Sequence, residues 1–327
     1  MNPVTLQINV TADDVKHCKH LLHHQLDIFH DQVSEVLLTY DKRPRKTANK
    51  ELEKNRVAFE DLLDRIVKEY PGVRVHELDY DPGTVEKVTT RFFGRQAPTH
   101  DFRGALIYGY LFGLHEASYD YVQHLDSDMF FGGTSQTWVK EALDILERDP
   151  GVLTVSPLPG PPHPDGILVG QSPHVTHKEM PYAFRFNSMS TRIFLLDRKM
   201  LFEKLSISGP GLKGRVYSRV EGHVPVQTLE KMISRMMQKE GKVRVDFKGS
   251  DPGLWSIHPL FRSEEFYLRI PEIIERLKQN DVPRSQLGYY NFSSDFIDWS
   301  EAHEIFRQNR LRRKILRKLG LIKESSG

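Results

Sequence analysis

The sequence predicts an α/β protein built on a mostly parallel sheet, and three observations lead there. Strand and helix patterns alternate as strand, helix, strand, helix, strand over residues 4–78 with short connections, which implies parallel strands joined by right-handed crossovers. A Tyr-, Val- and Leu-rich run over 119–125 then delivers two carboxylates, Asp126 and Asp128, and Gly132-Gly133 follows as punctuation. Ligand sites in open α/β sheets gather at the carboxyl ends of strands, where this pair falls.

Val4, Leu6, Ile8 and Val10 alternate with Thr5, Gln7 and Asn9, a strand pattern. The run Thr11-Ala12-Asp13-Asp14 supplies an N-cap and an acidic first turn for a helix to about residue 29, with Val15, Cys18, Leu22, Leu26 and Phe29 as its apolar stripe. His17, His20 and His24 lie on one flank of that helix; with no carboxylate partner in view they read as a solvated face rather than a metal site. A second strand over 34–40 ends at Asp41, followed by a basic loop. A helix from about 49 to 69 stops at Pro71-Gly72, and residues 73–78 form the third strand. After a turn at 79–83 comes a polar segment to Asp101, then a buried helix over 103–114 that feeds the strand carrying the Asp pair.

Past the pair, an amphipathic helix spans 138–148 and a strand 152–156. The Pro-rich stretch 157–166 reads as a rigid loop, because proline removes a backbone donor. A strand is expected around Arg192-Ile193-Phe194-Leu195-Leu196-Asp197. Pro225 suits the first turn of a helix through Lys239, closed by Gly241, and 243–247 is the next strand. From Ile270 onward helices dominate, with a loop at 283–294. The predicted organisation is therefore a main domain over 1–265, divided into halves 1–133 and 134–265, and a helical extension over 266–327.

Length and composition narrow the class. The 327 residues suffice for a sizeable core, and the single cysteine, Cys18, excludes an intrachain disulfide and a cysteine-based zinc site. One cysteine suits a reducing, cytoplasmic setting. The first ten residues lack the pattern of a secretory signal, and the longest apolar run, 104–114, is too short to span a bilayer. A net charge of +2 conceals an asymmetry: seven bases and no acid fall between Arg307 and Lys318, so acids outnumber bases elsewhere. That argues against a nucleic-acid surface on the body and confines polyanion attraction to the last helix. There Leu311, Ile315, Leu319 and Ile322 share one face, so that 307–323 suits an anionic membrane surface or docking on the body itself.

The chemistry centres on the Asp pair. Side chains at i and i+2 of an extended segment point the same way, so Asp126 and Asp128 converge on one bound species while Ser127 faces elsewhere. Two carboxylates aimed at one spot repel unless a cation lies between them. Hard oxygen donors favour Mg²⁺ or Mn²⁺ and leave coordination positions for water and phosphate oxygens.

The order of first strand, helix, strand ending in Asp41, apolar helix, then His124-Leu125-Asp126-Ser127-Asp128 resembles the nucleotide-sugar-binding half of GT-A glycosyltransferases, especially glycosyltransferase family 2, over most of residues 4–262. The resemblance implies a three-layer α/β/α sandwich and transfer of a sugar from a UDP- or GDP-sugar to a glycan, lipid or other hydroxyl acceptor, with inversion. It implies that Asp126 and Asp128, with Ser127 between them, hold the metal and diphosphate, and that Asp41 binds the nucleotide base. Gly104-Ala105-Leu106 resembles the family's helix start, and Arg103 before it joins the expected donor-binding residues. The family's base opens the helix that Gly241 closes; counting back reaches Val226-Gln227, which carries no acid, so Glu221 and Glu230 are the substitutes. The Trp255-Ser256-Ile257-His258 stretch resembles the C-terminal segment that supplies a further metal ligand, His258. A nucleotidyltransferase would want a Gly-rich phosphate loop after the first strand, and Asn9-Val10-Thr11-Ala12-Asp13 supplies none. A non-catalytic sugar-nucleotide or membrane-surface binding protein is the remaining alternative.

Overall fold

Asp126 ends a strand in the middle of the sheet, and the chain on both sides of it explains why. In the computed structural model, which describes residues 2–43, 50–173, 175–176 and 181–308, the first half runs β1 (Val4–Thr11), α1 (Val15–Phe29), β2 (Glu35–Asp41), α2 (Lys50–Glu69), β3 (Val73–Glu77), α3 (Pro82–Phe93), α4 (Tyr108–Glu116), β4 (Tyr121–Asp126) and β5 (Phe130–Gly133). The second half runs α5 (Trp138–Arg148), β6 (Val152–Pro159), β7 (Val175–Thr176), β8 (Ala183–Phe186), β9 (Ile193–Asp197), α6 (Leu212–Glu221), α7 (Leu229–Glu240), β10 (Val243–Phe247), β11 (Leu254–Ile257), α8 (Glu264–Lys278) and α9 (Ser300–Gln308). The main sheet is ordered β3-β2-β1-β4-β9-β6-β10-β8-β7. Strands β3, β2, β1 and β4 are mutually parallel, and β9 enters antiparallel beside β4.

Helices cover both faces. Cys18, Leu22 and Leu26 of α1, Phe59 and Leu62 of α2 and Trp138 of α5 pack on Leu6, Ile8, Leu38 and Leu125 from one side. From the other, Phe92 of α3, Leu111 and Phe112 of α4 and Met232 and Met236 of α7 pack on Val122, Phe194 and Leu196. Three layers with a mostly parallel sheet are the layout that the GT-A resemblance implies. A sheet covered on both faces buries its polar side chains too, and the alternation of β1 has that consequence: Thr5 and Gln7 are as buried as their apolar neighbours.

Several elements differ from the sequence reading. The polar segment after residue 79 contains α3, started by Asp81, whose carboxylate accepts from Gly83 N at 2.9 Å, with Pro82 in the first turn. The helix expected from 103 begins only at Tyr108. Gly109 and Gly113 let α4 approach β1 closely, since a Cβ at Gly113 would lie 2.5 Å from the Gln7 side chain. Strand β6 continues through Pro157 and Pro159, where its partner changes from β10 to β11 and the ladder can spare backbone donors. Pro225 precedes α7 instead of opening it; Thr228 caps that helix, accepting from Lys231 N at 3.3 Å, and α6 is an additional helix. The cap expected from Thr11 makes no side-chain hydrogen bond, because a 3-10 turn intervenes before α1.

In the C-terminal region, Phe266, Ile270 and Ile273 of α8 pack with Leu21 of α1, Phe130 of β5 and Trp255 and Ile257 of β11. The basic tail expected over 307–323 falls almost wholly outside the described residues, so its apolar face is not described. No helix among the described residues is long and apolar enough to cross a membrane.

Candidate functional site: a carboxylate-lined cleft at the strand ends

β4 carries His124 and Asp126 on the side facing α4. Asp126 Oδ1 accepts from Tyr110 OH at 2.9 Å and lies 3.2 Å from His124 Nε2, while His124 Nδ1 is bonded to Gln7 Oε1. The Asp126 carboxylate is thus oriented by a tyrosine that the close glycine packing of α4 brings within reach. Asp126 ends the strand and Asp128 sits in the turn before β5, beyond the pleat expected to align them; Asp126 meets Tyr110 and His124, whereas Asp128 meets Arg262 and His258. The Ser127 hydroxyl turns toward α1, its Oγ 3.0 Å from His17 Nε2 and 3.5 Å from Asp14 Oδ2, while the residue still lines the same cleft as Asp126.

The pairing of β5 with β11 brings the distant C-terminal residues to the pair. Ile257 registers with Phe130 and Trp255 with Gly132, whose missing side chain makes room for the indole: a Cβ there would be 2.0 Å from Trp255. His258 follows at once, its Nε2 3.6 Å from Asp128 Oδ2 and its ring stacked on Tyr290. Burial pushes the His258 imidazole down to about 4, leaving it neutral at physiological pH. Arg262 reaches Asp128 Oδ2 with Nη2 at 2.7 Å and Nε at 3.1 Å, and Asp14 Oδ1 with Nη1 at 2.8 Å. Burial alone would raise Asp128, but the Arg262 guanidinium and the neighbouring histidines hold its carboxyl well below the usual carboxylate range.

A cleft of about 730 Å³ opens in front of these groups, lined by Asn9, Asp14, Asp41, Tyr80, Asp126 and Arg262 among others. Asp41 terminates β2 at its far end, where its carboxylate accepts from Tyr80 OH at 3.0 Å and from Arg43 N at 3.0 Å, and the Arg43 guanidinium stacks 3.4 Å over the Tyr80 ring. Asp41, Asp126 and Ser127 therefore share one cleft, while Asp128 and His258 do not line it; Asp128 meets it through Arg262, which does. Arg103 is not in it: exposed, it lies over Phe102 beside a shallow depression with Pro210 and Leu212.

The two candidate bases are separated. Glu221 ends α6, next to Gly222 and His223 on the cleft wall. Glu230, in the first turn of α7, lines a second cavity of about 440 Å³ with Arg192, Arg244, Asp246, Tyr290 and Asn291. Arg244 and Asp246 form a buried ion pair at 2.8 Å, and burial pushes the Asp246 carboxyl up to about 6. Arg192 stands between cavity and Asp pair: burial would weaken its proton hold, but Tyr290, Asp126 and Asp128 more than offset it. Its carbonyl accepts from Asp126 N at 2.8 Å.

One donor at the site suits a hard divalent ion: Asp128 Oδ1 is a buried carboxylate oxygen without a hydrogen-bond partner, while Arg262 holds its Oδ2. Among the described residues no three His, Cys, Asp or Glu side chains form a complete metal-holding group. Any ion here must take its remaining ligands from outside the protein. The α1 histidines are not the solvated face expected: His17 and His24 are buried, and His24 accepts from Phe131 N at 3.0 Å. Burial pushes His24 down to about 4. Sequence reasoning also missed Arg262, Tyr110, Arg192 and Tyr290. Nothing local in the sequence marked Arg262, which lies in a non-helical stretch, whereas Tyr110 could have been found one residue after a helical glycine.

No family model matches the chain, and no curated protein matches it. Its backbone arrangement is similar to that of several solved structures. The mannosyltransferase PcManGT from Pyrobaculum calidifontis, in complex with GDP-Man and Mn²⁺, is 11% identical with a TM-score of 0.39 over 78% of this chain; the chain spans only 56% of that protein. The galactosyltransferase LgtC, in complex with donor and acceptor sugar analogues, is 11% identical with a TM-score of 0.40, over 86% of this chain and 98% of that one. TarS 1–349 of S. aureus, in complex with UDP-GlcNAc, is 11% identical with a TM-score of 0.38, over 97% of this chain and 80% of that one.

Proposed function

We propose that the protein is a glycosyltransferase that moves a sugar from a nucleoside-diphosphate donor to an acceptor hydroxyl. The observation that carries this reading is the shared cleft: a corner formed by Asp41, Arg43 and Tyr80 on one part of its wall and Asp126, Ser127 and Arg262 on another. In this reading the Tyr80 ring and the Asp41 carboxylate take the nucleotide base, and the diphosphate lies toward Asp126. Asp126 and Asp128 would hold Mn²⁺ or Mg²⁺, its remaining ligands coming from the diphosphate and water, and the ion when bound would supply positive charge to the departing diphosphate. Tyr110 and His124 keep the Asp126 carboxylate aimed, and Arg262 offers a second cation at the same end.

The second cavity is the acceptor side of the proposal. Its hydroxyl, amide and charged lining suits a polyhydroxyl ligand, and Glu230 is the carboxylate there with access to an acceptor hydroxyl. Glu221, on the α6 side of the donor cleft, is the weaker candidate because it does not line that cavity. A base on the opposite side from the leaving group produces inversion. The test is a transfer assay with UDP- and GDP-sugars, Mn²⁺ and a panel of simple glycosides, reading product anomer by NMR. Glu230→Gln should lower turnover roughly 10²- to 10⁴-fold with donor binding intact. Unchanged turnover in that variant, or a retained anomer, sinks the assignment of the base.

A further inference from the structure

The outer face of α6 is built the wrong way round for a helix of a soluble body. A surface helix normally turns its apolar stripe inward. Here the inward face carries Gly214 and Ser218, with the half-buried Tyr217 ring edge-on to Phe102 beside them: Ser218 is 1% exposed, and a Cβ at Gly214 would lie 2.6 Å from Pro210 and 3.1 Å from Phe102. Leu212 and Val216, four residues apart on the opposite face, are 79% and 42% exposed, and Val224 just beyond the helix is 49% exposed. Bases flank this stripe, Arg215 and Arg219 on one side and Lys213 on the other, all exposed. The acid of the helix, Glu221, lies half a turn away from the stripe on the side of Gly214.

From this arrangement we infer that α6 is an interfacial helix whose Leu212–Val216 face docks on an anionic lipid surface. Charge complementarity selects that occupant. Basic side chains bordering exposed aliphatic ones are the pattern of a helix lying in a headgroup layer, and they stand on a body in which acids outnumber bases once the tail is set aside. The segment is joined to the cleft: Gly222, His223 and Val224 line its wall, and Phe102 N donates to Val226 O at 2.7 Å. This inference stands whether or not the cleft binds a sugar nucleotide.

Cys18 is the single cysteine and is fully buried, so Val216→Cys creates one accessible thiol for an environment-sensitive fluorophore in the full chain. Adding phosphatidylcholine vesicles with roughly 30% phosphatidylserine should shift the emission to the blue and make it quenchable by nitroxide-labelled lipid, whereas pure phosphatidylcholine leaves it nearly unchanged. Lys213→Gln with Arg219→Gln should weaken vesicle binding about 25-fold, taking roughly fivefold per base. Leu212→Ser with Val216→Ser, read by vesicle flotation, should abolish contact through this face with sugar-nucleotide binding unchanged. A silent label while the chain still floats with vesicles overturns the inference, because another segment then carries the contact. A label that responds without lipid and in proportion to protein concentration overturns it as well, because a second copy then covers the face.

Discussion

Removing Arg262 tests whether the Asp128 site is a place where positive charge is required. The guanidinium bridges Asp14 and Asp128 with contacts of 2.7, 2.8 and 3.1 Å, and both carboxylates belong to residues no more than 3% exposed. Breaking a buried pair by deleting one partner costs roughly 3–5 kcal/mol, because the remaining charge is stranded. The Arg262 side chain is 34% exposed, so solvent screening reduces this to about 2–4 kcal/mol for Arg262→Met. With an unfolding entropy of roughly 2.1 cal/mol/K per residue, that is a fall in melting temperature of about 3–6 °C at pH 7.5. The sign with pH follows from linkage. In the native protein the depressed Asp128 carboxyl contributes stability that is present above its unfolded value and lost only as pH falls through its lower folded value. Without Arg262 the stranded Asp128 carboxylate titrates higher, so the penalty is largest at neutral pH and shrinks toward pH 4.5. Millimolar Mn²⁺ should recover part of the loss by replacing the missing cation. Differential scanning fluorimetry at both pH values, with and without Mn²⁺, reads all three effects. A variant that melts with the native protein, or one whose deficit is the same at both pH values and indifferent to Mn²⁺, refutes the electrostatic account.

Other outcomes follow from single contacts. Tyr110→Phe removes the hydroxyl that orients Asp126 and should weaken Mn²⁺ binding about 10- to 100-fold by calorimetry without changing the far-ultraviolet circular dichroism. Gly132→Ala drives a methyl into the Trp255 indole and should cost at least about 1–3 kcal/mol in urea denaturation, since neither β5 nor β11 can retreat without breaking their pairing. His24 titrates near 4 when folded, against 6.5 for an unburied imidazole. Its neutral form is the one that folding favours, so it lowers stability progressively as pH drops from about 6.5 toward 4, by up to about 3 kcal/mol. An NMR titration of the His24 ring that gives an ordinary midpoint would contradict that burial.

Much of the sheet was legible because apolar periodicity and strand-ending acids are local signals. Asp41, Asp126 and Ser127 meet in one cleft because parallel strands joined by crossovers all end at the same edge, which the alternation of strand and helix already implies. What failed did so for physical reasons. The α3 segment is polar overall, and only Asp81-Pro82 at its start and Gly94 at its end marked it as a helix. The prolines of β6 argued against a strand, yet they sit where its ladder changes partner. His17 and His24 look like surface residues from composition, but α1 is covered by α2 on one side and α8 on another, so little of its circumference reaches water. Arg262 was invisible because its meaning depends on a contact with Asp128 across 134 residues, and that contact exists only after β11 pairs with β5. Arg103, chosen for its place before a family-like Gly-Ala-Leu, illustrates the converse: local likeness without the right side-chain direction.

Calorimetric titration of the full chain with UDP- and GDP-sugars, with Mn²⁺ or with EDTA and in parallel on Asp128→Asn, reaches the core of the account. Binding of at least one donor that requires Mn²⁺ and is lost in Asp128→Asn is the predicted result. Donor binding that is equal in EDTA and untouched by the substitution would contradict it.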